Sequence, residues 1–94
     1  MRRVTVFGST GSIGESTLDL LSREEDAQAV ALTGGRNVAR LAEQARALRA
    51  ELAVTAFEEC LPDLRAALEG SGIEAAAGSA ALLEAADRPA DWVM

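Results

Sequence analysis

Short apolar runs alternate along the chain with longer stretches whose apolar residues recur every three or four positions. The segment RRVTVFGS is β-branched and stops at a glycine, which predicts a strand over about residues 3 to 8. Ser12 and Glu15 form an S-x-x-E capping box, which predicts that a helix begins there and runs to about residue 22. The apolar positions of this helix recur at helical spacing: Ile13, Thr17, Leu18 and Leu21.

The same alternation then repeats. AQAVALTGG is a second short apolar run that ends in paired glycines, and it predicts a strand near residues 28 to 34. NVARLAEQARALRA predicts a helix with Asn37 as its N-cap. One stripe of this helix is apolar: Val38, Leu41, Ala42, Ala45 and Leu48.

Three further apolar segments follow in the second half. ELAVTA predicts a third strand, and a helix over about residues 59 to 69 is expected to turn Leu61, Leu64 and Leu68 inward. GIEAAAG predicts a fourth strand, after which Ser79 is expected to cap a short helix. That helix contains Leu82, Leu83 and Ala86. RPADWVM turns at Pro89 and enters a fifth apolar run.

Strands that alternate with helices predict right-handed β-α-β units. The expected fold class is therefore α/β, a doubly wound Rossmann-like parallel sheet within one domain. Residues 3 to 8 are expected to form its central strand, between the strand at 28 to 34 and the one that begins near Asp91. Since the last apolar run stops at Met94, well short of a usual strand length, we expect the sheet to be truncated within its last strand and residues 1–94 to be the front of a longer protein.

Charge and composition exclude several functions. The net charge is −6 and the pI is near 4.5, which argues against nucleic-acid and membrane-surface partners because both need a basic face. All nine basic residues are arginine, so the chain has no lysine for a Schiff base and no histidine for base catalysis or metal binding. Cys60 is the single cysteine, and no targeting segment is recognised, which together favour a reducing, cytoplasmic location. We predict no catalytic residue and no metal ligand in this chain.

The stretch GSTGSIG lies between the first strand and the first helix. There, free backbone N–H groups and the helix dipole favour a phosphate. By analogy with dinucleotide sites, Gly8 permits the tight turn, Gly11 lets the backbone approach a pyrophosphate, and Gly14 lets the helix lie close to the strand. Thr10 and Ser12 add hydroxyl donors. The alternative is that the glycines only turn the chain. No lysine follows Gly14, so the loop of ATPases and GTPases is excluded.

The second strand ends in TGGRN, residues 33 to 37. An acid at this place holds the ribose 2′-hydroxyl of NAD, whereas an arginine accommodates the 2′-phosphate of NADP. The chain has Arg36 here and no acid, which favours NADP; the alternative is an ordinary surface arginine near a helix start. The acidic residues 24 to 26 precede the strand and are expected to form a solvated turn at the opposite edge.

VFGSTGSIGESTLDLL and VALTGGRNVARLAEQ together resemble the amino-terminal part of the 1-deoxy-D-xylulose 5-phosphate reductoisomerase family, NADPH-dependent enzymes of non-mevalonate isoprenoid biosynthesis. The resemblance covers essentially the whole chain and about the first quarter of such an enzyme. It implies that residues 1–94 are the amino-terminal part of an NADP-binding Rossmann-like domain. It also implies two sets of cofactor-binding residues: Thr10, Gly11, Ser12 and Ile13 at the pyrophosphate, and Gly35, Arg36 and Asn37 at the 2′-phosphate.

For the complete enzyme, the resemblance implies isomerisation and reduction of 1-deoxy-D-xylulose 5-phosphate to 2-C-methyl-D-erythritol 4-phosphate. It implies NADPH, a divalent metal (Mg or Mn) and a homodimer, with metal and substrate residues later in the chain, so residues 1–94 alone are expected to be inactive. Two alternatives remain open, another NADP-dependent reductase and a non-catalytic nucleotide-sensing module. The residues that follow would distinguish them, because a carboxylate cluster able to hold a metal indicates the reductoisomerase.

Overall fold

A computed structural model describes residues 2–8, 14, 16, 19, 23 and 27–93. Its strands are β1 (Arg2–Val6), β2 (Ala27–Gly34), β3 (Leu52–Thr55), β4 (Glu74–Ala77) and β5 (Trp92–Val93). Its helices are α1 (Val38–Leu48), α2 (Leu61–Ala67), which follows a 3₁₀ turn at Glu58–Cys60, and α3 (Ser79–Asp87). Gly14, Ser16 and Asp19 are also helical, in agreement with the helix predicted to precede β2. The capping box of that helix lies outside the described residues.

The five strands form one parallel sheet in the order β4-β3-β2-β1-β5. β1 lies between β2 and β5, with Val4 opposite Ala29 on one side and Trp92 on the other. The predicted parallel sheet and the predicted neighbours of its first strand are therefore confirmed. The middle strand of the five described is β2, however, and not β1 as expected, because both β3 and β4 lie on the β2 side of β1. Strands β2, β3 and β4 are added one after another on one side of β1, and β5 is then added on its other side. The strand order therefore reverses between β1 and β5. In such sheets, ligands bind at the carboxyl ends of the strands near this reversal.

Helices cover both faces of the sheet, because each strand buries apolar side chains on alternate sides. On one face, Val4 and Val6 of β1 pack in a cluster with Leu41 of α1 and Leu64 of α2. On the other face, α3 contributes to a second cluster that contains Val30, Leu52, Val54, Ala81 and Ala85. The doubly wound arrangement predicted from the sequence is thus confirmed.

Helix α1 begins where the sequence predicts and has the predicted apolar stripe. The side chain of Asn37 accepts a hydrogen bond from the N–H of Arg40 at 3.2 Å, as an N-cap does. Arg49 ends the helix in the left-handed region, with φ +53°. The predicted apolar stripe faces the core: Leu41, Ala42 and Ala45 are buried, and Val38 and Leu48 pack against them.

Helices α2 and α3 match the predicted buried positions and caps only in part. Leu64 and Leu68 are buried as predicted, whereas Leu61 is half-buried. The prediction that Ser79 caps α3 is wrong, because Gly78 is the N-cap and Ser79 is already helical. The chain enters this helix with φ +91° at Gly78, a conformation that favours glycine over a capping side chain. None of the described helices is long and apolar enough to cross a membrane.

Candidate cofactor-binding site

The carboxyl edge of the sheet carries the loops that follow β1, β2 and β3. Gly8 turns the chain directly after β1 with φ +70°, so its predicted role in a tight turn is confirmed. Its N–H donates to Oγ1 of Thr33 at 3.0 Å, and Thr33 is buried near the end of β2. Gly14 is helical and buried. The predicted pyrophosphate contacts lie outside the described residues: Thr10, Gly11, Ser12 and Ile13.

The loop after β2 brings the three predicted 2′-phosphate residues together at this edge. Gly35 is half-buried, and Arg36 and Asn37 are exposed. The side-chain oxygen of Asn37 already accepts the N–H of Arg40, so the amide group offers a ligand chiefly its N–H donors. Arg36 therefore carries the positive charge that this loop presents to solvent.

Arg36 contacts two residues of the loop after β3. Its guanidinium carbon lies 4.0 Å from the centre of the Phe57 ring, the geometry of a cation–π contact. Its Nη1 lies 3.2 Å from Oε1 of Glu59. The stacking orients the plane of the guanidinium, and the carboxylate occupies part of its donor edge.

Thr55 joins the loops that carry these groups. It is the last residue of β3 and is fully buried. Its hydroxyl donates to the carbonyl oxygen of Gly35 at 2.8 Å and accepts the N–H of Phe57 at 3.2 Å. The Thr55 hydroxyl therefore holds the backbone of Gly35, next to Arg36, in a fixed position relative to the backbone of Phe57.

Four residues of this site were missed by the sequence reasoning: Thr33, Thr55, Phe57 and Glu59. A signal for the threonines was present, because each is a hydroxyl at the carboxyl end of an otherwise apolar strand, where parallel sheets place their binding loops. No comparable signal exists for Phe57 and Glu59, which meet Arg36 only because β2 and β3 are neighbours in the sheet.

The described residues present no metal centre. Among them, no group of three His, Cys, Asp or Glu side chains is close enough together to hold an ion. Cys60 is half-buried and precedes α2 without a side-chain cap hydrogen bond. The divalent metal implied by the resemblance therefore has no ligand set among the residues that the structure describes. The acidic stretch 24 to 26 falls outside the described residues.

The domain is Rossmann-like α/β, as three features show: the sheet order, the positive-φ glycine after β1 and the helix that follows it.

Residues 4–94 match the family described as 1-deoxy-D-xylulose 5-phosphate reductoisomerase, and the chain belongs to that family. Its relatives with that same name include the following two. One, from Jannaschia sp. strain CCS1, is 70% identical over 94 residues, which are 99% of this chain and 24% of the relative. The other, from Cereibacter sphaeroides strain ATCC 17025, is 69% identical over 97 residues, which cover 100% of this chain and 25% of the relative.

Solved structures agree with this assignment. The reductoisomerase from Zymomonas mobilis in complex with NADPH is 53% identical with a TM-score of 0.97, over 99% of this chain and 25% of that one. A DOX-P reductoisomerase in complex with NADPH, fosmidomycin and magnesium is 26% identical with a TM-score of 0.89, over 99% and 24%. The chain thus spans about a quarter of the length of the relatives it matches.

Proposed function

We propose that this chain is the NADPH-binding portion of an enzyme that isomerises and reduces 1-deoxy-D-xylulose 5-phosphate. The observation that carries the proposal is Arg36, an exposed guanidinium in the loop after β2. An arginine at this place suits the 2′-phosphate of NADPH, whereas NAD sites have an acid here. Membership in the reductoisomerase family and the NADPH complex of a 53% identical neighbour support it.

The described residues fit this cofactor. Arg36 is held at the carboxyl edge by Phe57 with its charge open to solvent, and would bind the 2′-phosphate. Thr33 holds the N–H of Gly8 and so fixes the start of the glycine loop, whose residues 10 to 13 are proposed to line the pyrophosphate. NADPH supplies a hydride to the substrate when it is bound. This part of the chain contributes binding and orientation, since the cofactor performs that chemistry itself.

The remaining steps belong to the complete protein. We propose that residues beyond this chain hold the divalent metal, Mg²⁺ or Mn²⁺, and the sugar phosphate, whose product is 2-C-methyl-D-erythritol 4-phosphate. We further propose that the complete enzyme is a cytoplasmic homodimer. A reducing compartment suits a chain with one cysteine and no disulfide framework.

The test is NADPH oxidation by the complete protein with 1-deoxy-D-xylulose 5-phosphate and Mg²⁺. We expect turnover with NADPH, a strong preference for NADPH over NADH, and no turnover by residues 1–94 alone. Binding of NADPH without turnover of this substrate would indicate a sensor or a different reductase. Turnover by residues 1–94 alone would show that the active site has been misplaced.

A further inference from the structure

The guanidinium of Arg36 already has an anionic partner in the protein. Oε1 of Glu59 lies 3.2 Å from Nη1, and the two side chains are 65% and 62% exposed. Glu59 belongs to the 3₁₀ turn after β3, so the pair bridges two different loops of the carboxyl edge. An ion pair this exposed contributes little to stability and opens readily.

A phosphate at Arg36 meets this carboxylate directly. Arginine binds phosphate best through two parallel N–H donors of its planar fork, and Glu59 occupies part of that fork. The carboxylate must turn away or share the guanidinium, and in either case a second negative charge stays near the phosphate. The Phe57 contact uses the face of the guanidinium and leaves its edge to hydrogen-bonding partners.

We propose that Glu59 competes with the 2′-phosphate of the cofactor for Arg36 and is therefore a specificity-determining residue. This inference rests on the proposed function of the chain in NADPH binding. Glu59 lowers the affinity of the protein for NADPH and leaves its affinity for NADH unchanged. Phe57 holds the Arg36 guanidinium in position in both cases. The oxidised cofactor carries the same phosphate, so the competition also favours its release.

Dissociation constants of NADPH and NADH for the complete protein test this proposal through Glu59→Gln. We expect this variant to bind NADPH about two- to fivefold more tightly, the range typical of one exposed ion pair. Its affinity for NADH should not change, and the gain for NADPH should shrink as salt rises. Unfolding temperatures of the variant and the wild type show that both are folded.

Glu58→Gln is the matched control, because it removes the same charge one residue away. The Glu58 side chain lies against Gly78, where its Oε1 is 2.7 Å from the position that a Cβ would take. We expect Glu58→Gln to change neither affinity. An equal gain in NADPH affinity in both variants would overturn the proposal in favour of a general effect of net charge.

Arg36→Ala provides the second arm. In that background Glu59→Gln should leave NADPH affinity unchanged, because the competition needs the arginine. If the wild type prefers NADPH through Arg36 but Glu59→Gln binds it equally or more weakly, this inference fails and the proposed function stands. If the wild type does not prefer NADPH to NADH, the proposed function fails and the inference fails with it.

Discussion

Arginines lie at both edges of the sheet, in very different surroundings. At the carboxyl edge, the side chain of Arg36 is 65% exposed and has one ion-pair partner among the described residues, Glu59. At the amino edge, the side chain of Arg88 is 25% exposed. Its guanidinium faces three carboxylates: Glu51 at 3.9 Å, Glu74 at 2.8 Å and Glu84 at 3.3 Å. Because three carboxylates surround it and it is less exposed, the guanidinium of Arg88 is fully engaged in contacts within the protein. The guanidinium of Arg36 has a single carboxylate partner among the described residues and is exposed enough to bind a ligand.

Contacts at the amino edge also join β1 to β3 and to the segment that leads into β5. Nη2 of Arg3 lies 2.8 Å from Oε2 of Glu51, which connects β1 to the start of β3. The N–H of Arg3 donates to the Asp91 carboxylate at 2.8 Å, and the N–H of Asp91 donates to the carbonyl of Arg3 at 2.7 Å. We therefore expect mutations of the amino-edge ion pairs to change stability alone, and mutations around Arg36 to change NADPH affinity as well.

The largest effect is expected from Arg36→Ala in the complete protein. Loss of a charge-assisted hydrogen bond to the 2′-phosphate removes ~1.5 to 3 kcal/mol, roughly a ten- to hundredfold loss of NADPH affinity. NADH should hardly be affected, and the loss should diminish as salt rises. Titration with both cofactors measures it, with Arg65→Ala on α2 as the matched charge control. Equal weakening of NADPH and NADH would show that Arg36 supports the fold or the ribose instead.

Gly78→Ala at the carboxyl edge and Gly72→Ala at the amino edge together compare the cost of a positive φ with and without a steric clash. Gly78 has φ +91°, and an added Cβ would lie 2.7 Å from Oε1 of Glu58, so we expect a loss of ~1 to 3 kcal/mol in unfolding free energy. Gly72, before β4 at the amino edge, has φ +77° and nothing within 4 Å of the added Cβ. Gly72→Ala should therefore show the cost of φ alone, ~1 to 2 kcal/mol. Equal losses in urea denaturation would mean that Glu58 moves aside without cost.

Thr55→Val tests the hydroxyl bridge at the carboxyl edge. The variant leaves the Gly35 carbonyl and the Phe57 N–H without their partner, for an expected loss of ~1 to 2 kcal/mol in stability. A smaller preference for NADPH should accompany it, because Arg36 and Phe57 are no longer held together. Thr55→Ser should retain most of both properties.

Thr5→Val is the contrasting control for that prediction. Oγ1 of Thr5 is buried and has no hydrogen-bond partner among the described residues, so its replacement by a methyl group should be neutral or stabilising. If both threonine variants change the denaturation midpoint alike, the bridge is not what makes Thr55 important.

Of the main variants that should lose stability, Arg88→Ala at the amino edge is expected to lose the least. Exposed and half-exposed ion pairs contribute little, so the network should lose about 1 kcal/mol of stability, and less at high salt. Arg88→Lys should lose less, because it retains one of the pairs. Neither variant should change NADPH affinity in the complete protein. A change in that affinity would show that the two edges are coupled.

Periodicity and turn chemistry predicted most of the fold. The stripe that contains Leu41 and the cap at Asn37 are local features, which sequence spacing encodes directly. The two neighbours of β1 were predicted because β-α-β connections have one handedness and few arrangements, whereas the positions of β3 and β4 were not predicted. Helix α3 was harder: Ala81 and Ala85 face the core, whereas Leu83 is 68% exposed. In an alanine-rich helix, the larger residue did not mark the inner face.

The candidate site was predictable only in part. Arg36 stood out because an arginine replaced the acid expected after the second strand. Its contacts with Phe57 and Glu59 depend on the conformations of two loops and on the pairing of β2 with β3, which no local pattern specifies. The pyrophosphate residues predicted from the glycine loop remain a prediction.

The position of β1 between β2 and β5 has a consequence for synthesis on the ribosome. Val4 pairs with Ala29 on one side and with Trp92 on the other, so its two neighbours are made at very different times. At ~5 to 20 residues per second, the interval between the two is roughly 3 to 13 s. During that time one side of β1 has open backbone N–H and C=O groups, which are a template for wrong strand pairing. The open side of β1 therefore stays exposed to wrong pairing until Trp92 has been made.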